Sequence, residues 1–360
     1  MRERSAEVAR MSDDETLAPT LRDIADAAGV SVASVSKVLN NRGGVGDESR
    51  RRILGLAEQL GYQGNRSARS LQKAGVDGAV LVIPAEAYSN SQFYEGVVQS
   101  VIAEAAANSL KLDVRLTSHA DGRVVAELDE LLGARPRTVM AVGMDDPVVI
   151  DRLVASKLPA VLVNGMDRTM RLDCVLPDNW SAGWLATRRL LAAGHRRIVH
   201  VASRHRLSMQ RRLEGFKMAI EEAGIEFDPD RHLIDLFQMR VELPQAQRAI
   251  RQALQDGRLD GVTAFFCATD VVALSVMQGL QSEGVRVPED VSVIGIDDIS
   301  IATHSRPPLT TIRIDRGELG RLGVQSLMRR IADPEASILR VNLGVRLIER
   351  ATIGQLPPAA

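Results

Sequence analysis

Several features that mark particular protein classes are scarce or absent in this sequence. Its 360 residues include only two cysteines, Cys174 and Cys267, which are too few for a disulfide framework or a cysteine-ligated zinc site. No apolar run approaches the roughly 18–20 residues that cross a membrane. The N-terminal residues contain no apolar stretch of the kind found in secretory signals. We therefore expect a cytoplasmic protein without disulfides or membrane segments.

The sequence also lacks an excess of either charge. Lys and Arg number 45 against 46 Asp and Glu, which excludes a uniformly basic chain such as a histone. Binding to nucleic acid is not excluded, because a basic patch can lie within a neutral total. Between Arg42 and Lys73 there are seven basic and three acidic residues, a net charge of +4. This segment is the candidate for contact with a polyanion.

From Gly78 onward, short apolar runs rich in β-branched residues alternate with amphipathic helical segments. This alternation predicts parallel sheets covered by helices on both faces. The region spans roughly 280 residues, which is large for one open sheet, so we expect two α/β lobes. The clearest strand candidates are residues 79–83, 139–142, 160–163, 198–201, 264–267 and 291–294.

Motifs of common enzyme classes are missing from the sequence. It contains no Walker A loop, Rossmann GxGxxG, GxSxG elbow or HExxH motif. His195, His200 and His205 fall five residues apart, a spacing that aligns side chains on neither a helix nor a strand. Asp297 and Asp298 end a predicted strand, but no partner for acid–base or metal chemistry is apparent. We predict no catalytic role, no metal site and no cofactor.

Three short helical patterns precede the α/β region. Thr20 begins a capping box for the first helix, and Gly29 ends that helix in a tight turn. Ser31 is the predicted N-cap of a second helix at residues 32–40, and a third follows at 47–60. Two short helices joined by a glycine-containing turn are typical of a helix-turn-helix unit. A generic three-helix bundle with a basic face is the alternative.

The order and spacing of several motifs resemble the LacI/GalR family of bacterial transcription regulators. The resemblance covers residues 19–354. It rests on residues 20–25, 29–40, 62–71, 212–216, 287–298 and 307–312. It implies an N-terminal all-α helix-turn-helix unit followed by a two-lobed, periplasmic-binding-protein-like α/β effector domain.

The predicted domain organisation has four parts. We expect a mobile tail at residues 1–18, a helix-turn-helix domain at 19–62, a hinge helix or linker at 63–76 and an effector-binding domain at 77–355. Within the effector domain, the N-lobe is predicted at about 77–177 and 309–336, and the C-lobe at about 178–308 and 337–355.

In this family the second helix enters the major groove, and the linker folds into a hinge helix whose leucine wedges into the minor groove. Leu71 occupies the position of that leucine. Gly64 stands where the family commonly has proline, and Lys37 where it commonly has arginine, so the operator sequence is not carried over. The helix-turn-helix pattern and the resemblance together predict the DNA-binding residues Thr20, Ser31, Val32, Ala33, Ser34, Ser36, Lys37, Asn40, Asn65, Ala68, Arg69 and Leu71.

The resemblance also implies an effector site between the lobes. Arg212 matches the family's effector-contacting arginine, and Asp297 matches the aspartate that ends a strand. A surface ion pair for Arg212 and a turn cap for Asp297 are the alternatives. Thr269 stands where the family usually has asparagine. The candidate effector-binding residues are Phe93, Tyr94, Asp145, Arg212, Phe237, Thr269 and Asp297.

The predicted function is a sequence-specific regulator of transcription, with a repressor favoured over an activator. The expected partners are double-stranded DNA with a pseudo-palindromic operator, a small-molecule effector such as a sugar or related metabolite, and a second copy of the chain. A dimer is favoured over a tetramer because the C-terminal residues hold no leucine heptads. The sequence does not distinguish an inducer from a corepressor. A solute-binding protein of a transporter, which shares the two-lobed fold, is the alternative.

Overall fold

The computed structural model describes residues 21–39, 43–60, 76, 78–89, 91–118, 123–133, 138–203, 206–236 and 243–356. The chain divides into two compact units, residues 1–70 and 71–360. Several predicted features lie outside the described residues. They are the tail at 1–18, the hinge helix, and the site residues Thr20, Asn40, Asn65, Ala68, Arg69, Leu71 and Phe237.

The small unit contains the three predicted helices. They are α1 (Leu21–Ala28), α2 (Val32–Leu39) and α3 (Asp47–Gln59). Gly29 takes a φ of +64°, a left-handed conformation that glycine adopts without strain, and this turns the chain from α1 into α2. One apolar face of each helix contributes to a shared core, formed by Ile24, Ala25, Ala28, Val35, Val38, Ile53 and Ala57.

The first lobe of the larger unit is built on a six-stranded sheet with the order β11-β5-β4-β3-β1-β2. All of its strand pairs are parallel. Its elements are β1 (Gly78–Pro84), α4 (Ala85–Ser89), α5 (Gln92–Ala107), β2 (Lys111–Thr117), α6 (Arg123–Gly133), β3 (Val139–Val142), α7 (Pro147–Ala155), β4 (Ala160–Val163), β5 (Asp173–Pro177), α14 (Arg316–Ala332) and β11 (Arg340–Leu343).

The second lobe has another six-stranded sheet, with the order β12-β10-β9-β8-β6-β7. Its strand pairs are parallel except for β12, which runs antiparallel to β10. Its elements are α8 (Asn179–Ala192), β6 (Ile198–Ala202), α9 (Leu207–Glu222), α10 (Pro229–His232), β7 (Leu233–Asp235), α11 (Leu243–Gln255), β8 (Ala264–Cys267), α12 (Asp270–Ser282), β9 (Ser292–Asp297), α13 (Ser300–His304), β10 (Thr310–Arg313) and β12 (Arg346–Ile348).

Six of the inner strands of the two sheets are buried along their whole length. Every residue of β3, β4, β5, β6, β8 and β9 is buried, because helices cover both faces of each sheet. This explains why these strands appear in the sequence as continuous apolar runs rather than as alternating patterns. Among the described residues, no helix combines the length and the apolar character needed to span a membrane.

Two of the predicted lobe boundaries are wrong. Residues 309–313 were expected in the N-lobe, but β10 pairs with β9 and therefore belongs to the second lobe. Residues 337–343 were expected in the C-lobe, but β11 pairs with β5 in the first. The physical reason is backbone hydrogen bonding between strands. β10 bonds to β9 in the second sheet and β11 bonds to β5 in the first, and each crossing follows the paired strand. Within the described residues the chain crosses after β5, after β10 and after β11.

Candidate functional site

Polar side chains from both lobes meet at the carboxyl ends of the strands, where open α/β sheets bind ligands. Tyr94, Asp145 and Asn164 come from the first lobe, and Arg206 comes from the second. The Arg206 guanidinium donates to the Tyr94 hydroxyl and, at 3.3 Å, to Asp145 Oδ2. It also donates to the Asn164 carbonyl oxygen at 2.7 Å. One arginine therefore bridges the cleft to three residues of the opposite lobe.

Asp145 also caps α9 from across the cleft. Its Oδ2 accepts a hydrogen bond from the backbone N–H of Leu207, the first residue of that helix, at 3.1 Å. A carboxylate is favourable there because the first N–H groups of a helix lack intrahelical partners. Burial alone lowers the pKa of Arg206, but Tyr94 and Asp145 more than offset this and raise it. The charged pair and the cap fix the start of α9 against the first lobe.

Arg212 lies one and a half turns further along α9 and is almost completely buried, at 3% exposure. Its Nε donates to Asn179 Oδ1 at 2.9 Å, and its Nη1 donates to the carbonyl oxygen of Ala268. Its Nη2 lies 3.6 Å from Asp297 Oδ1. The alternative of a surface ion pair is therefore wrong. Arg212 is instead a buried cation at the base of the cleft, paired with the predicted aspartate.

Asp297 ends β9 in a strained backbone conformation, with a φ of +123°. Burial raises the pKa of its carboxyl to about 6, although Arg212 and Arg316 act in the opposite direction. Burial also raises the pKa of the neighbouring Asp270 carboxyl well above its usual range. Asp270 Oδ1 accepts from the Thr311 hydroxyl at 2.5 Å. The cleft thus holds two buried carboxyl groups, Asp297 and Asp270, whose pKa values are raised by burial.

The remaining effector candidates have clear structural contacts. Phe93 is buried and packs edge-on against Tyr94, with ring centroids 5.3 Å apart. The Thr269 hydroxyl caps α12 by accepting from Val272 N at 3.2 Å. Thr269 therefore fixes the start of a helix whatever else it contacts. Phe93 and Thr269 support the cleft, and their contact with an effector stays a prediction.

The α2 helix of the small unit presents the predicted DNA-reading residues. Ser31 caps it, because its hydroxyl accepts from Ser34 N at 3.1 Å. Val32 is 43% exposed, although a valine in a helix is normally placed to pack. Ala33 and Lys37 are also exposed, while the intervening Val35 and Val38 are buried in the core. Ser34 and Ser36 are half-buried. An exposed apolar and basic face on a capped helix is suited to the major groove.

Comparisons with known proteins bear on both units. The family described as bacterial regulatory proteins, lacI family, matches residues 20–65, and a periplasmic binding protein-like domain matches 187–353. The ribose operon repressor of Haemophilus influenzae is 30% identical over 338 residues, which make up 94% of this chain and 99% of that protein. The chain belongs to the lacI family of bacterial regulatory proteins.

Solved structures similar to this lacI-family regulator extend the match over most of its length. A complex of the transcriptional regulator CelR with cellobiose is 26% identical, with a TM-score of 0.70, and the alignment covers 93% of this chain and 99% of that chain. The lac repressor dimer bound to operator and the anti-inducer ONPF is 24% identical, with a TM-score of 0.68 and the same coverage. The second likeness shows the shared fold.

The cleft of this lacI-family protein contains some residues that the sequence motifs predict and others that they do not. Tyr94 and Asp145 meet around one arginine, and Arg212 pairs with Asp297. Arg206, Asn164 and Asn179 were not predicted. Arg206 directly precedes a helix that follows a buried strand, and its place beyond the strand end was the available signal. The effector-binding and DNA-binding roles of all these residues are predictions.

Proposed function

We propose that this chain is a homodimeric, sequence-specific DNA-binding repressor whose operator affinity is controlled by a sugar or related metabolite held between the two lobes. The observation that carries the proposal is the buried pair of Arg212 and Asp297 at the base of the cleft. It lies in a chain that also presents an exposed, capped reading helix. Sensing and DNA binding therefore have separate places in one molecule.

The chemistry of the cleft suits a small polyhydroxylated ligand. An ionised Asp297 accepts hydrogen bonds from hydroxyl groups, and the guanidinium of Arg212 donates to oxygen atoms. Tyr94, whose hydroxyl accepts from Arg206 in the cleft, and Phe93, which packs edge-on against it, are the aromatic rings placed nearest the expected sugar ring. A repressor relative is named for the ribose operon, and a structural relative was solved with cellobiose. These relatives support a sugar as the class of effector.

The proposed mechanism is a shift between populations of lobe arrangements. A ligand that contacts both lobes stabilises the arrangement it fits best and disfavours the others. In a dimer this changes the relative position of the two DNA-binding units and so the affinity for a two-fold operator. The dimer of the lac repressor on its operator supports this assembly. We propose that the protein acts in the cytoplasm and as a regulator rather than an enzyme.

The test is substitution of Arg212. Arg212→Ala should abolish the response of operator binding to the effector while leaving operator affinity without effector unchanged. The effector is chosen by a thermal-shift screen of D-ribose, cellobiose, other sugars, nucleobases and small acids, because a bound ligand stabilises the fold by mass action. Operator binding is then measured by fluorescence anisotropy on DNA obtained by selection from a random pool.

Arg211→Ala is the matched control, since Arg211 is the preceding residue but forms an exposed ion pair with Glu214 at 2.7 Å. This variant should respond to effector as the wild type does. A full response in Arg212→Ala would show that the effector binds elsewhere. Loss of the response in both variants would point to a general defect of α9 rather than to the cleft.

A further inference from the structure

The second crossing between the lobes is very short. β10 of the second lobe ends at Arg313, and α14 of the first lobe begins at Arg316, so only two residues connect them. Asp298 contacts both sides of this connection. Its Oδ2 accepts from Arg313 Nε at 2.5 Å, and its backbone carbonyl oxygen accepts from Arg316 Nη2 at 3.3 Å. One residue therefore holds the strand before the crossing and the helix after it.

The other carboxylate oxygen of Asp298 is also engaged. Its Oδ1 accepts from Arg350 Nη2 at 2.5 Å. Arg350 in turn donates from Nη1 to the Leu309 carbonyl oxygen at 2.7 Å and from its backbone N–H to the Thr310 hydroxyl at 3.0 Å. Burial raises the pKa of the Asp298 carboxyl, but the hydrogen bonds from Arg350 and Arg313 outweigh it and lower the pKa. The ionised carboxylate therefore binds two arginines, one at the end of β10 and one that contacts the residues at its start.

Asp298 is covalently next to the cleft residue Asp297. Both have positive φ, +123° for Asp297 and +52° for Asp298, a region that L-residues rarely adopt. Two consecutive residues of this kind leave little freedom to absorb a rotation between them. Because one peptide bond joins the two residues, we expect a movement of Asp297 against Arg212 to shift the Asp298 carboxylate and the arginines that bind it.

We propose that Asp298 is a positioning residue that transmits the state of Asp297 to the β10–α14 crossing and so sets the angle between the lobes. It does not contact the effector in this account. The inference rests on the proposed function, because it assumes that the effector acts at Asp297. The purely structural reading is that Asp298 only stabilises the second lobe, which predicts lower stability with no change in lobe angle.

The test measures the distance between the lobes directly. Nitroxide labels are attached to cysteines introduced as Glu130→Cys in α6 and Glu221→Cys in α9, both exposed positions. The native Cys174 and Cys267 are buried and should not react. Labelled chains are diluted into unlabelled protein, so that pulsed electron paramagnetic resonance reports distances within one chain. No effector and no DNA are added.

In the wild-type background we expect one narrow distance distribution. Asp298→Asn should make it roughly twice as broad or give it a second maximum, because the crossing gains alternative arrangements. Asp290→Asn is the matched control, since Asp290 forms an exposed ion pair with Arg286 at 2.6 Å, and it should leave the distribution narrow. Arg313→Gln removes the partner instead and should reproduce the effect if Asp298→Asn fails to fold.

A wild-type distribution in folded Asp298→Asn, or in Arg313→Gln if Asp298→Asn does not fold, would overturn the proposal. A lower melting temperature alone would then assign Asp298 a structural role. The outcome is separable from the proposed function, because the distances are measured without ligand. A failure of effector sensing would appear in the Arg212 experiment and not in this one.

Discussion

Beside the neighbouring Asp270, Asp297 is a buried carboxyl group through which pH should act on the cleft. Its pKa is raised to about 6 by burial, against the opposing effect of Arg212 and Arg316. In the folded protein the carboxyl is ionised at pH 7.5 and largely protonated at pH 5. A protonated carboxyl loses part of its capacity to accept hydrogen bonds. Binding of a hydroxylated ligand should therefore depend on pH in this range.

We predict that effector affinity falls about tenfold between pH 7.5 and pH 5, because one pH unit below the pKa leaves about a tenth of the carboxyl ionised. Isothermal titration calorimetry at a series of pH values measures this. Asp297→Asn should bind weakly at every pH and lose the dependence. A wild-type affinity that stays constant from pH 7.5 to pH 5 would contradict the role given to this carboxylate.

The contribution of Asp297 to folding stability should change with pH in the opposite direction to effector affinity. Because its pKa is raised in the folded state above the ordinary value of 3.8, its contribution to stability is fully present below that value and is lost as the pH rises through about 6. Other groups act the other way. Burial lowers the pKa of His200 to about 4, so its contribution is lost as the pH falls from 6.5 toward that value. Ligand affinity is therefore the better readout for Asp297.

At the residue scale, the sequence predicts those residues of the cleft that belong to a recognisable motif. Arg212 and Asp297 were predicted from motifs, and the structure pairs them. Arg206 was not predicted, because its role depends on Tyr94 and Asp145, which lie more than 60 positions away in the chain. Such a contact is created by the closing of one lobe on the other and leaves no local pattern.

At the element scale, the packing of α8 against α9 requires glycine at one position of each helix. A Cβ on Gly215 would lie 2.1 Å from the Trp180 carbonyl oxygen, and a Cβ on Gly183 would lie 2.0 Å from the Arg212 carbonyl oxygen. The two helices therefore touch backbone to backbone. Because Arg212 is on α9, this close approach sets how deeply its guanidinium reaches into the cleft.

Gly215→Ala should separate these helices and destabilise the protein by about 1–3 kcal/mol or more, since backbone atoms cannot move aside as a side chain can. Effector affinity should fall with it, because Arg212 is displaced. Urea unfolding and calorimetry measure the two effects. Gly133→Ala is the control, because a Cβ there meets no atom within 4 Å. Equal stability of both variants would contradict the close packing.

The predicted strands show what an element's own sequence can and cannot specify. Buried runs such as Val139–Val142 and Ala160–Val163 were recognised as strands and form them. The sheet to which Thr310–Arg313 belongs was predicted wrongly. A run of apolar residues indicates a strand, but its partner is decided by hydrogen bonds to residues far away in the chain. Boundaries that follow from strand pairing are therefore harder to predict than the strands.

At the scale of the whole molecule, the near-zero net charge is the sum of a basic N-terminal segment and an acidic remainder. The basic residues between Arg42 and Lys73 follow the reading helix α2 in the sequence, whereas the residues of the cleft belong to the larger unit. The proposed dimer on a two-fold operator would place two such small units on the DNA at once and so raise the affinity. The proposed control of operator affinity by effector therefore requires a coupling free energy between two sites that share no residues.

One measurement tests this link most directly. The operator dissociation constant is measured with and without saturating effector, and the effector dissociation constant with and without saturating operator DNA. Linkage requires the two ratios to be equal, and we predict a factor of about 5 to 150 in each. An effector that binds the cleft yet leaves operator affinity unchanged would contradict the account.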